Sequence, residues 1–275
     1  MTKYNLKRGL LAIFFILVGA GFFFLNDSKA KDRDIIASYN FEDGLVPSAW
    51  NRAYSAFRAK YPVAVYKESN GNHYIRITAT DSDNFSNGGN PLKLRSELSV
   101  APGSPGWSSV EANRSVTYSY SIRLPNDSSR FPESNVNQFG ATLIGDPPQF
   151  MPALRLFWDE TKGFWLRNQY ESTDGKISYQ SLEFGRIGLG KWGHFSISVY
   201  WTMDPAKAKI IVYVDGKYAG TMSGLPTVAS YRSPNGMQFE IGTYGVGAKG
   251  SVDFDNVVVR MGLTPIAPPG GSGVQ

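Results

Sequence analysis

The chain has no cysteine and only two histidines among its 275 residues. The absence of cysteine excludes a disulfide framework, a thiolate metal site and a lipid-modified cysteine. It says little about stability, because a domain of more than 200 residues buries a core large enough to fold without covalent cross-links.

No part of the chain after residue 30 carries a Lys/Arg-rich run. The formal net charge is +5, of which residues 1–30 contribute +3, so that about +2 is left for the remainder. Nucleic-acid binders usually show a basic stripe or cluster. We therefore expect no nucleic-acid partner.

An uncharged apolar stretch from residue 9 to residue 25 follows Lys3, Lys7 and Arg8. A charged start followed by an apolar core is typical of a secretory signal peptide, and the small residues near Ala30 predict cleavage after it. An uncleaved anchor is the alternative, because seventeen residues are at the short end of the ~17–25 that span a bilayer. Both readings predict export, to the periplasm, the medium or a membrane-anchored position. Membrane contact is expected only through this segment, if it is uncleaved.

The rest of the chain has the pattern of short strands separated by turn residues. Polar and apolar residues alternate over 73–78 and 115–124, as in half-buried strands. Asp215-Gly216 between two alternating runs is a strong hairpin signal. No window has the period of an amphipathic helix, so the sequence predicts one all-β sandwich or jelly roll over residues 31–262. We expect it to be a monomer, and the Pro/Gly-rich composition of residues 263–275 predicts a disordered tail.

Seven stretches of sequence occur in a characteristic order. They are residues 90–98, 116–125, 136–140, 190–195, 212–217, 239–244 and 252–257. In this order they resemble the bacterial polysaccharide lyases related to heparin lyase I and glucuronan lyase, whose motifs include Arg-(Ser/Ala/Thr)-Glu-Leu, Gln-x-His and Phe-Lys-x-Gly-x-Tyr. The resemblance implies a concanavalin A-like β-jelly roll of two antiparallel sheets with a concave substrate groove. It also implies β-elimination on an acidic polysaccharide, with no cofactor needed for the chemistry.

β-Elimination removes the proton at C5 of a uronate, next to its carboxylate. The reaction needs donors that neutralise that carboxylate, a base at C5 and an acid at the leaving oxygen. On the family motifs, Gln138 and Arg95 are the candidate neutralisers, and Tyr244 is the candidate base and acid. An ion pair of Arg95 with Glu97 is the structural alternative, because residues two apart on a strand share a face.

The chain departs from the family motif at Gly140, which replaces the histidine expected two residues after Gln138. His73 is the candidate replacement base, if it reaches the groove; a half-exposed strand histidine is its structural alternative. The other histidine, His194, is expected to be structural. Without a histidine in the groove, either Tyr244 works alone or the protein binds its ligand without cutting it.

The remaining candidates concern substrate and metal binding. Glu97, Arg155, Arg167 and Trp165 are the expected substrate-binding residues, on the grounds that arginines pair with carboxylates and aromatic rings stack on sugars. Solvated surface charge and core packing are the alternatives for the arginines and for the tryptophan. A structural calcium site is expected from Glu42, Asp253 and Asp255, since carboxylates suit that ion, with turn capping as the alternative.

Two other functional classes compete with the lyase. A non-catalytic carbohydrate-binding module is favoured by Gly140. A retaining glycosidase needs two carboxylates ~5–5.5 Å apart, and the Glu-x-Asp-x-Glu pattern that would supply them does not occur in the sequence.

Overall fold

A computed structural model describes residues 35–47, 51–53, 63–80, 93–99, 113–126, 134–144, 149–230, 239–246 and 249–269. The expected signal segment, the side chain of Arg95 and residues 270–275 of the expected tail lie outside the described part. Within the described residues, no helix is long and apolar enough to cross a membrane.

Fifteen strands account for most of the described residues. They are β1 (Ile35–Tyr39), β2 (Asn51–Ala53), β3 (Ala64–Lys67), β4 (His73–Ala79), β5 (Lys93–Ser99), β6 (Arg114–Arg123), β7 (Ser134–Ile144), β8 (Gln149–Asp159), β9 (Gly163–Glu171), β10 (Ile177–Gly185), β11 (Gly193–Trp201), β12 (Lys209–Val214), β13 (Lys217–Ser223), β14 (Phe239–Val246) and β15 (Gly250–Met261). The described residues contain no α-helix, as the missing helical period predicted.

The structure contains the elements that local sequence patterns predicted. The turn between β12 and β13 has Asp215 at φ 49° and Gly216 at φ 74°. Two successive residues with positive φ match the right-handed twist of the flanking strands, which explains the Asp-Gly preference. A second hairpin turns at residues 160–162, with β8 and β9 paired in antiparallel register.

The strands form two antiparallel sheets. In sheet I the order is β13-β12-β11-β6-β15-β4-β3, and β1 also pairs with β15. In sheet II the order is β10-β9-β8-β7-β14-β5-β2. Consecutive strands lie in different sheets after β1, β2, β4, β5, β6, β10, β13 and β14, so the chain crosses repeatedly between the two sheets, as in a jelly roll. The expected fold class is confirmed.

Aromatic side chains fill the space between the sheets. Tyr118 of sheet I contacts Phe139 and Phe239 of sheet II, with ring centroids 4.9 and 5.2 Å apart. Tyr120 packs on Phe239 and donates a hydrogen bond to Asn137 Oδ1 at 3.0 Å. Because successive strand residues point to opposite faces, the neighbours of these core residues face outward.

The segment after β15 differs from its prediction. Residues 263–269, which the composition predicted to be disordered, lie along the outer face of sheet I. Ile266 N donates to Ser196 Oγ at 3.0 Å, and Ile266 O lies 3.4 Å from His194 Nε2. Small hydroxyl side chains on β6 and β11 leave room for this segment and satisfy its backbone groups, which composition alone does not reveal.

Candidate active site

The outer face of sheet II collects most of the predicted site residues. On β14, Phe239 and Ile241 belong to the core, so Tyr244 lies on the outward face by strand alternation and register. On β7, the core residue Phe139 is followed by Gly140 and preceded by Gln138. Register then places Arg155 opposite Gln138 and Arg167 opposite Arg155.

A buried hydrogen bond joins Gln138 to Glu97. The Gln138 amide nitrogen donates to Glu97 Oε1 across 41 positions of sequence. Glu97 is 0% exposed and Gln138 is 2% exposed, so the bond is shielded from water. A bond of this kind to a charged group is stronger than a neutral one, and it fixes the orientation of the amide.

Gly242 makes room for this pair. A Cβ at Gly242 would lie 2.2 Å from Ser96 O and 2.7 Å from Glu97 Cα, and its backbone has φ +148°. Register places Gly242 opposite Glu97 on the neighbouring strand. The glycine therefore allows β14 to approach β5 closely at the point where Glu97 meets Gln138.

The predicted base lies one step further along the same two strands. Tyr244 is half-buried, and its backbone pairs with Arg95 on β5 and with Asn135 on β7. The pairing places Arg95 and Tyr244 side by side on neighbouring strands, two positions from Glu97 and Gly242.

A second layer of the face consists of stacked rings and arginines. Trp165 stacks on Phe157 with ring centroids 4.1 Å apart, and the guanidinium of Arg167 lies 4.6 Å from the Trp165 ring centroid. Trp165 is only 4% exposed. Its ring is therefore occupied by protein groups, whereas the sequence analysis expected it to stack on a sugar. Arg155 donates to Gln169 Oε1 beside this layer.

His73 lies in sheet I, the opposite sheet. Its Nδ1 is 3.0 Å from Glu42 Oε2, and the Glu42 carboxyl has a lowered pKa chiefly because of its hydrogen bonds with His73. The structure does not bring His73 to the face that carries Gln138 and Tyr244. The expectation that it replaces the missing histidine of the groove therefore has no geometric support.

The predicted calcium ligands do not converge. Asp253 is 0% exposed and accepts hydrogen bonds from two guanidinium groups, with Arg76 Nε at 2.6 Å and Arg123 Nε at 2.8 Å. Asp255 accepts from Asn72 Nδ2 at 3.0 Å, and burial raises its pKa. Across the described residues, no group of three or more His, Asp or Glu side chains is arranged to hold a metal ion. Asp253 does not fit a calcium site, because both of its oxygens are neutralised by arginine.

Glu240 is a site residue that the sequence analysis missed. It is buried on β14, and its backbone pairs with Gln138 on β7. The chain has glutamate here in a stretch that otherwise matches Phe-Lys-x-Gly-x-Tyr. Its spacing of two and four residues from Gly242 and Tyr244 would have placed it on their face.

The face as a whole combines amide and guanidinium donors with buried carboxylates and one half-buried phenol. Gln138, Arg155 and Arg167 supply N–H donors suited to a substrate carboxylate. Tyr244 supplies a phenol, which accepts a proton as the phenolate and donates one in its neutral form. Such a set can bind an anionic sugar and act on a carbon next to its carboxylate.

Comparisons with known proteins agree with this arrangement. A family model described as polysaccharide lyase matches residues 47–258. No curated protein sequence matches the chain significantly. The fold is similar to that of an endo-β-1,4-glucuronan lyase from the fungus Trichoderma reesei, with 17% identity over 82% of this chain and 95% of that one and a TM-score of 0.60.

Two further solved structures share the fold. The alginate lyase vAL-1 from a Chlorella virus has 13% identity over 83% of this chain and 100% of that one, with a TM-score of 0.55. The binding domain of Paraclostridial Mosquitocidal Protein 1 has 14% identity over 84% of this chain and 50% of that one, with a TM-score of 0.52. At these identities the similarities show the fold, which serves both enzymes and a binding domain.

Proposed function

Since the chain belongs to the polysaccharide lyase family, we propose that it cleaves a uronic-acid-containing polysaccharide by β-elimination on the outer face of sheet II. The observation that carries this proposal is the shared face of Gln138, Tyr244 and Arg155, with Arg95 paired to Tyr244 in register. Glucuronan and alginate, the substrates named for two structures of the same fold, are the first polymers to test.

The chemistry begins with neutralisation of the uronate carboxylate. The C5 proton becomes acidic only when that negative charge is balanced, and N–H donors in a water-poor site do so most effectively. We assign the neutralising role to the second N–H of the Gln138 amide and to Arg95, whose backbone pairs with that of Tyr244. Glu97 holds the first Gln138 N–H and so keeps the amide in one orientation.

Tyr244 then moves the proton. As a phenolate it takes the proton from C5, the bond from C4 to the glycosidic oxygen breaks, and the protonated phenol can return a proton to the leaving oxygen. The electron pair of the C–H bond becomes the new C4–C5 double bond, so no water is consumed.

The double bond gives the direct test of this proposal. We expect purified protein to raise the ultraviolet absorbance of alginate, glucuronan or a glycosaminoglycan, since elimination leaves an unsaturated uronate. Tyr244→Phe should lower the initial rate by about 100-fold or more, as expected for loss of a general base. Tyr218→Phe is the matched control, because Tyr218 is exposed on β13 of the other sheet. A polymer that is bound without any rise in absorbance would overturn the proposal.

A carbohydrate-binding module is the second candidate function. The observation that favours it is Gly140, which stands on β7 two residues from Gln138 and gives the face no side chain where the family has histidine. In this case Gln138→Ala and Arg155→Ala should weaken binding of the polysaccharide. Neither the unchanged protein nor any variant should produce unsaturated chain ends. Affinity electrophoresis in gels containing each polymer measures that binding.

Export and a monomeric state are further proposals. The apolar segment of residues 9–25 after three basic residues supports export. N-terminal sequencing of the protein from cell fractions tests whether cleavage follows Ala30. Light scattering tests the monomer.

A further inference from the structure

A second polar pocket lies on the outer face of sheet I, away from the proposed lyase site. Its cavity has a volume of about 320 Å³. We name it the back pocket and define it by six of its lining residues: Glu68, Asn70, Asn72, Trp192, His194 and Asp255. This volume is at the lower end of the ~300–1,000 Å³ typical of small-ligand sites.

An aromatic platform forms one wall of the back pocket. Trp192 meets the edge of Tyr74 with centroids 5.7 Å apart, and Tyr74 stacks on Tyr66 at 5.9 Å. The guanidinium of Arg123 lies 4.4 Å from the Trp192 centroid and 4.6 Å from that of Tyr74. Trp192 Nε1 also donates to Glu68 Oε1 at 3.2 Å. Arg123 covers one face of the Trp192 ring, but Trp192, unlike Trp165, is still partly exposed. The indole is therefore held in place before any ligand arrives, which lowers the entropy cost of binding.

The polar wall is fixed as well. Asp255 Oδ2 accepts from Asn72 Nδ2 at 3.0 Å, and Asp255 Oδ1 accepts from Asn256 N at 2.6 Å. Asn256 has a left-handed backbone with φ 50° and also lines the pocket. Each carboxylate oxygen keeps a lone pair after accepting one bond, so the wall still offers acceptors to a hydroxyl group.

The charges of the lining decide the class of ligand. The lining includes the carboxylates of Glu68, Asp215 and Asp255 and, among the described residues, no Lys or Arg; the nearby Arg123 is paired with Glu68 and Asp253. Burial lowers the pKa of His194, which favours its neutral form. A uronate would thus meet like charge here, in contrast to the arginine-bearing face of sheet II. A metal cation would have to displace the donors that already bind Glu68 and Asp255.

We propose that the back pocket binds a neutral sugar residue, whose C–H face packs on Trp192 and whose hydroxyls bond to the asparagines and carboxylates. Aromatic faces and planar amide or carboxylate groups together suit a neutral ring with alternating apolar and hydroxyl surfaces. The assignment is independent of the lyase proposal, because it uses different residues on the opposite sheet.

The test uses the full-length protein with ¹⁵N-labelled tryptophan and D-glucose, D-galactose, D-mannose and L-rhamnose as probes, with D-glucuronate as the charged comparison. We expect at least one neutral sugar to shift the Trp192 indole N–H signal at millimolar concentration, and D-glucuronate to leave it unchanged. Asn256→Gly removes an amide without straining the left-handed backbone and should weaken binding by about tenfold or more.

Two further variants complete the design. In saturation-transfer NMR, Trp192→Ala should abolish the transfer of magnetisation from the protein to the sugar. Tyr218→Ala should preserve it, because Tyr218 is an exposed aromatic residue elsewhere on the same sheet. The proposal is overturned if none of the four neutral sugars binds, if glucuronate binds as well as they do, or if Asn256→Gly and Trp192→Ala retain full affinity. A shift with calcium chloride alone, and none with sugar, would assign the pocket to a cation instead.

Discussion

Truncation of Glu97 tests the role of the buried bond between Glu97 and Gln138. In Glu97→Ala the Gln138 amide loses its acceptor in a place where neither residue is appreciably exposed to water. A hydrogen bond to a charged group contributes about 1.5–3 kcal/mol. If that free energy orients the amide toward the transition state, the turnover number should fall by about 10- to 100-fold.

The distinguishing measurement is a double-mutant cycle on the rate of double-bond formation. If Glu97 acts through Gln138, Glu97→Ala combined with Gln138→Ala should be no slower than Gln138→Ala alone, because the second change removes the group that the first one positions. Glu97→Gln is the matched variant, since its amide oxygen can accept the same bond. We expect it to recover most of the turnover number, with little change in KM.

If the fold losses in rate of the two single variants multiply in the double variant, Glu97 acts on the substrate directly and not through Gln138. If Glu97→Gln is as slow as Glu97→Ala although it is folded by circular dichroism, the negative charge is what matters and not the position of the amide.

The other predictions concern stability. Gly242→Ala should lower the free energy of unfolding in urea by about 3 kcal/mol or more, because its Cβ would lie 2.2 Å from Ser96 O. Gly71→Ala is the control, since Gly71 also has a positive φ but a Cβ there would meet nothing within 4 Å, and it should cost only about 1–2 kcal/mol. Equal losses in the two variants would contradict the close approach of the strands at Gly242. Asp253→Ala should cost about 3–5 kcal/mol in the same assay, since it leaves two arginines without their buried partner; a loss below about 1 kcal/mol would contradict this. Burial lowers the pKa of His194 in the folded state. Below about pH 6.5 the unfolded chain therefore binds more protons than the folded one, and the free energy of unfolding decreases as the pH is lowered. His194→Gln should therefore flatten the urea stability profile between about pH 6.5 and pH 5, and an unchanged slope would refute this.

Much of the fold follows from local sequence patterns. Alternation predicted the strands that became β4 and β6, and Asp215-Gly216 predicted the β12–β13 hairpin with its two positive φ values. These predictions succeed because side-chain period and turn geometry depend on neighbours in sequence. Edge strand β10 was not among the predicted strands, although Leu182 and Phe184 are partly buried there between exposed polar residues.

The site was predictable only where a motif or the strand period defined it. The resemblance selected Gln138 and Tyr244, and alternation placed each on the outer side of its own strand. Neither source says which strands become neighbours. Pairing of β5 with β14, and of β14 with β7, brings Glu97 to Gln138 across 41 residues.

By itself, the sequence determined the strands, their inward and outward sides, the hairpin turns and the low charge of the domain. The tertiary structure decided which outward side chains meet. It put His73 in the opposite sheet, buried Trp165 under Phe157 and Arg167, and neutralised Asp253 with two arginines. The physical reason is that strand pairing joins residues far apart in the chain, through contacts whose partners no local pattern specifies.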